Sequence, residues 1–179
     1  MTLQEQPPAL KYRLTVADYT LLAEAGAFAE QRTELIDGDV LLMSPQFRPH
    51  LFVKSEFGFR LRLALRELNS PLWIGEEESV ALSDRDMPLP DIIATSEPRG
   101  VGAVPLASVA LIVEVAETSL AYDLGRKAQL YATAGIPEYW VADVFGRVLH
   151  QHSRPEDDAY ADRRTIPLAS PSARSPLLA

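Results

Sequence analysis

Residues Val109–Ala116 read Val-Ala-Leu-Ile-Val-Glu-Val-Ala, an apolar run of strand length broken only by Glu114. A sheet with one wet face would show alternating polar positions, and this run shows none. It describes a strand covered on both faces. A chain containing such a strand must supply elements to lie over each side of a sheet, and the rest of the sequence does so. Pro49 to Asn69 carries Leu51, Phe52, Phe59, Leu63 and Leu68 near helical spacing, with Arg60, Arg62 and Arg66 between them, and predicts a long amphipathic helix. Tyr122 to Ala134 predicts a second helix, closed by Gly135 with Pro137 just beyond. Glu138–Ala142 and Arg147–His152 read as strands joined by a turn from Asp143 to Gly146. Upstream, Leu72–Leu82 and Asp91–Ala94 are further strand patterns. Glu34–Ile36 and Asp39–Met43 flank Asp37-Gly38, a pair suited to a type I′ hairpin turn. Thr15 and Asp18 have the spacing of a capping box that opens a short helix to about Ala25. The sum is an α/β (α+β) fold: a mixed central sheet flanked by helices, with a helix crossing between the Glu114 strand and the Trp140 strand.

Length and composition limit what such a fold can be. The 179 residues fit one domain, 1–179, with a core over about 12–152, a loose arm from Met1 to Arg13 and a frayed tail around Ala169–Pro176. An apolar share of 47% excludes a disordered chain. No apolar stretch approaches the ~20 residues of a membrane helix, and the first residues lack the apolar core of a signal peptide. The absence of cysteine removes disulfides, thiolate metal sites and cysteine nucleophiles. A cytoplasmic protein is expected. The net charge of −8 argues against coating nucleic acid by charge alone. It is compatible with a carboxylate centre whose bound cations restore positive potential. Of the 17 basic residues only Lys11, Lys54 and Lys127 are lysine, so a lysine at a particular place invites an explanation.

Glu114 is that strand's anomaly. A carboxylate inside an apolar strand costs several kcal/mol unless it is paired, protonated or bound to metal. Taken alone, Glu114 is better answered by a salt bridge to an arginine or a strand end reaching solvent. Asp91 changes the balance. It follows Pro90 and opens the strand expected beside that of Glu114, although Pro-Asp by itself is a common turn dipeptide. Two carboxylates on neighbouring strands form a site for a hard divalent cation, normally Mg²⁺, with Mn²⁺ as its substitute. Lys127 lies on the next helix, four residues before Tyr131 and on the same face. That face must pack back over the sheet, which can return an ammonium to the carboxylates; the competing reading is a solvated lysine beside Arg126. Glu76–Glu78 reads as a solvated edge, and His150 and His152 as surface residues of one strand face.

These features together resemble the PD-(D/E)xK superfamily, the restriction-endonuclease-like fold. The likeness is to its branch abundant in cyanobacteria and long catalogued as a domain of unknown function. It runs from about Tyr12 to His152. Its carriers are Glu34-Leu-Ile-Asp-Gly38, Met43-Ser-Pro45, His50, Pro90-Asp91, Val113-Glu-Val115, Ser119–Asp123, Lys127 with Tyr131, and Gly135–Trp140. The resemblance implies that Asp91 and Glu114 are metal ligands and that Glu34 is an upstream acidic position able to help hold a metal. The superfamily pattern places its lysine at position 116, where this chain has Ala116. In the branch it resembles, that lysine stands on the following helix, at Lys127. Tyr131 would support Lys127, and His50 would contact phosphate or cap its helix.

The function implied is a Mg²⁺- or Mn²⁺-dependent endonuclease that hydrolyses phosphodiester bonds in DNA, working as a homodimer because cutting a duplex needs two sites. Its catalytic residues would be Asp91, Glu114, Lys127 and Glu34. Ala116 supports an alternative, a nuclease fold that binds nucleic acid or protein without cutting. A hydrolase of small phosphate esters and an interaction domain with a salt-bridged Glu114 complete the rivals.

Overall fold

The structure, a computed structural model, describes residues 10–168; the expected tail from Ala169 lies outside them. Thr15 opens α1 (Val16–Glu24) with a reciprocal cap: its hydroxyl accepts from the Asp18 N–H at 3.1 Å, and the Asp18 carboxylate accepts from the Thr15 N–H at 2.9 Å. β1 (Thr33–Ile36) and β2 (Asp39–Leu42) form the hairpin, turning at Asp37 and Gly38 with φ of 53° and 72°. Both must be left-handed in a type I′ turn, and a Cβ at Gly38 would sit 2.7 Å from the Leu14 carbonyl, so glycine is doubly required. α2 (Arg48–Glu67) follows, with Pro49 in its first turn, where no intrahelical N–H is lost.

β3 (Trp73–Glu76), β4 (Val80–Ala81), β5 (Ile92–Thr95), β6 (Val104–Pro105) and β7 (Val109–Ala116) come next. A helical crossover then runs through α3 (Leu120–Tyr122), a π-helical turn (Asp123–Lys127) and α4 (Ala128–Thr133). β8 (Glu138–Asp143), β9 (Val148–Glu156) and β10 (Ala159–Pro167) complete the chain. The main sheet has the order β10-β9-β8-β7-β5-β3, with β7 and β8 parallel and every other pair antiparallel. A parallel pair cannot be joined by a tight turn, which is why the helical crossover sits between these two strands.

β7 is buried along its length, with only Ala110 partly exposed. Its odd-numbered side chains, Leu111, Val113 and Val115, pack with Trp140, Ile92 and Leu61, under α2. The even-numbered Ile112 and Ala116 pack on the opposite face with Ile93, Tyr131 and Tyr139, under α4. Glu114 falls between Ile112 and Ala116 and so belongs to the α4 face. Tyr19, Leu35 and Met87 form a third cluster that seats α1 and the hairpin.

Two expectations need correction. The sheet does not stop at His152: β9 runs on to Glu156 and pairs with β10 as far as Pro167. His152 is also not a surface residue. It is 6% exposed, set edge-on to the Tyr139 ring and tilted against that of Tyr160, and burial beside Arg163 pushes its imidazole down to about 4.

Candidate active site

The register of β5 against β7 sets the first contact. Ile92 lies opposite Val113 and Ile93 opposite Ile112, so Asp91, one step earlier, arrives beside Glu114 and Val115. Alternation puts Asp91 and Glu114 on the same face, because Ile93 and Ile112 share it. Asp91 is 5% exposed and held by three donors. Its Oδ2 accepts from the Val115 N–H at 2.9 Å and lies 3.1 Å from His50 Nε2; its Oδ1 accepts from Gln46 Nε2 at 2.9 Å. Burial alone would raise its pKa. The His50 hydrogen bond and charge, helped by Val115 N–H and the Lys54 ammonium, outweigh burial and leave Asp91 below the usual carboxylate range.

Glu114 is 3% exposed. Its Oε1 accepts from Lys127 Nζ and from the Tyr131 hydroxyl, each at 2.9 Å. Lys127 leaves the π-helical turn pointing inward, 4% exposed, and also reaches Glu34 Oε2 at 3.2 Å. Arg126 beside it points outward and pairs with Asp37 of the hairpin turn. Glu34, brought in by β1, accepts a further bond from the Leu89 N–H at 3.3 Å. The structure therefore gathers Glu34, Asp91, Glu114 and Lys127 at one place, and brings Tyr131 and His50 to it.

Residues to which no role was assigned from sequence complete the centre. Asp123 is buried with Oδ2 2.5 Å from the Ser119 hydroxyl, and burial raises its pKa despite that bond. Gln46 bridges Asp91 to Lys54, whose ammonium is buried and reaches Glu77. Local pattern marked neither Gln46 nor Lys54, and for Lys54 the scarcity of lysine was the one signal.

Three carboxylates, those of Glu114, Glu34 and Asp123, crowd the Lys127 ammonium, and the charges respond. Burial pushes Glu114 up to about 8, Lys127 opposes this, and the charges of Asp91, Asp123 and Glu34 add to it. Lys127 is itself raised above its usual value: burial acts to lower it, but Glu114, Glu34 and Asp123 prevail. Lys127 thus keeps its charge throughout the working range. Because the folded pKa of Glu114 exceeds its usual 4.5, folding takes up a proton there. Its contribution to stability is full below that value and is lost as pH rises to about 8. Glu114→Gln should flatten this slope in urea melts taken across the same range. Parallel slopes in the two proteins would show that Glu114 titrates normally.

The donor set fits a hard divalent cation. Asp91 and Glu114 are both carboxylates, and Glu114 Oε2 has no hydrogen-bond partner among the described residues. A second positive charge would relieve the crowding that raises Glu114 and Asp123. Among the described residues no three His, Asp or Glu side chains form a ready-made cage. Two carboxylates with water completing the shell is how Mg²⁺ is commonly held.

No helix among the described residues is long and apolar enough to cross a membrane. No curated protein matches the sequence. The fold is similar to that in the "Crystal structure of a putative nuclease belonging to DUF820 from Anabaena variabilis ATCC 29413". That likeness has a TM-score of 0.66 at 15% identity and covers 91% of this chain and 88% of the other, which establishes the shared architecture. The model of the Uma2 family, described as "Putative restriction endonuclease", matches residues 16–178. With the mixed sheet, the crossover helix and nearly the whole chain accounted for, the protein belongs to the Uma2 family of restriction-endonuclease-like nucleases.

Proposed function

We propose that the protein is a Mg²⁺- or Mn²⁺-dependent endonuclease that hydrolyses phosphodiester bonds in DNA. One observation carries the reading: a buried lysine from the crossover helix meets buried carboxylates from two strands on the sheet face where Asp91 also stands. Asp91 and Glu114 would hold the cation, with Glu34 beside them. The chemistry that such an ion supplies is polarisation of the phosphate and a lowered pKa for water. Lys127 offers a fixed positive charge where negative charge grows on the phosphorus oxygens during attack. Tyr131 and Glu34 keep that ammonium and Glu114 in place, while His50 and Gln46 hold the Asp91 carboxylate ionised and oriented. Direct attack by water on the phosphate requires no covalent intermediate.

Supercoiled plasmid is expected to be nicked in Mg²⁺ or Mn²⁺ and left intact in EDTA. Linear product appearing alongside nicked circle would mark paired active sites and a homodimer. A plasmid that stays supercoiled at high enzyme and metal concentration would favour the second reading, a binding module without catalysis. The observation behind that reading is the Asp91 carboxylate, already engaged by three protein donors.

A further inference from the structure

Two cations outside the Lys127 cluster converge on a single oxygen. Lys54 Nζ, from α2, lies 2.5 Å from Glu77 Oε1, and Arg32 Nη2, from the residue before β1, lies 3.0 Å from the same atom. The Lys54 side chain is 8% exposed, whereas those of Glu77 and Arg32 are 38% and 34% exposed. A buried ammonium and a half-buried guanidinium thus meet one carboxylate at the surface, which neutralises only one of the two charges. Arg32 Nη2 is buried and, despite its closeness to Glu77, makes no aligned hydrogen bond. A buried donor without an acceptor is costly, and its persistence calls for a reason.

The pair is wired to the candidate centre. Lys54 donates to Gln46 Oε1 at 2.8 Å, and Gln46 donates in turn to Asp91 Oδ1 at 2.9 Å. The Glu77 N–H donates to the Asp91 carbonyl at 3.2 Å. Lys54 therefore stands two hydrogen bonds from Asp91, and Glu77 one.

The geometry points to Arg32 and Lys54 as the seat of a backbone phosphate of the nucleic acid, next to the phosphate that is cut, with Glu77 filling the seat until substrate displaces it. This rests on the nuclease reading above. The two anionic oxygens of a tetrahedral phosphodiester can accept separately from an ammonium and a guanidinium, whereas Glu77 meets both cations through Oε1 alone. Glu77 is exposed enough to swing into solvent. A chain of net charge −8 also needs a local positive seat if a polyanion is to approach carboxylates.

Fluorescence anisotropy with a fluorescein-labelled DNA duplex in EDTA separates binding from cleavage. Glu77→Gln is expected to bind several-fold tighter than the parent. Arg32→Gln and Lys54→Met should each bind several-fold more weakly, with the slope of log affinity against log salt shallower by about 0.9. Arg32 is half-exposed, so its variant remains informative should the buried Lys54 variant fail to fold. Parent-like affinity and slope in Glu77→Gln and Arg32→Gln, with plasmid nicking retained, would overturn the inference and leave the nuclease reading standing. If neither the parent nor Glu77→Gln bound the duplex and no nicking occurred, both would fall.

Discussion

Lys127→Met is expected to reduce cleavage by orders of magnitude and to destabilise the fold by about 3–5 kcal/mol. Helix propensity alone would leave the protein untouched, since methionine and lysine differ little. The environment decides otherwise. Lys127 Nζ is the shared partner of Glu114 and Glu34, whose side chains are 5% and 6% exposed. Removing it leaves Glu34 buried without its counter-charge and Glu114 without its charged donor. Adding Glu114→Gln in the same chain should recover part of the lost stability and none of the activity, a coupling readable in a double-mutant cycle by urea denaturation. Arg126 is not positioned to substitute, because it is tied outward to Asp37. A Lys127→Met protein that melts and cleaves like its parent would remove Lys127 from the centre altogether.

Asp91→Asn should abolish cleavage and divalent-cation binding, whereas Lys127→Met should still bind the cation. The amide keeps the shape but turns one acceptor into a donor. It would face the Val115 N–H, Gln46 Nε2 or the His50 ring, all of which now donate to Asp91 or lie at hydrogen-bond distance from it. At least one buried donor would be stranded, at about 1–3 kcal/mol. Calorimetric titration with Mg²⁺ and Mn²⁺ distinguishes the two variants. Equal metal affinity in Asp91→Asn and the parent would mean that the ion, if held, is held elsewhere.

How much of this was legible in the sequence differs from residue to residue for physical reasons. The β7 strand and its lone carboxylate were visible because burial on both faces erases alternation, so Glu114 stood out against a uniform background. The hairpin and the α1 cap were visible because backbone geometry restricts which residues can occupy those places. β10 was not. Its charged run Asp162-Arg163-Arg164 looks like a loop, and its pairing depends on partners in β9 rather than on local pattern. His152 was misplaced because period-two alternation shows which residues share a face without showing which face is covered; Tyr139 and Tyr160 settle that in three dimensions. Lys54 and Gln46 look like ordinary polar residues at the start of a helix. Only the approach of Glu77 and Asp91 turns them into a buried network.

The π-helical turn Asp123–Lys127 ties two features of the site to a matter of phase. The Ala128 N–H reaches back five residues to the Asp123 carbonyl, which also accepts from the Tyr139 hydroxyl at 3.0 Å. The winding thus carries one residue more than an α-turn would, a common device at functional sites. Sheet register fixes Glu114, whereas winding fixes the azimuth of everything after the turn. Rewinding it to an ordinary α-turn would rotate the following side chains by about 100° relative to Asp123. Lys127 and Tyr131, four residues apart on one face, would swing away from Glu114 as a unit. The carboxylate's two donors are therefore not independent, and they arrive and depart together.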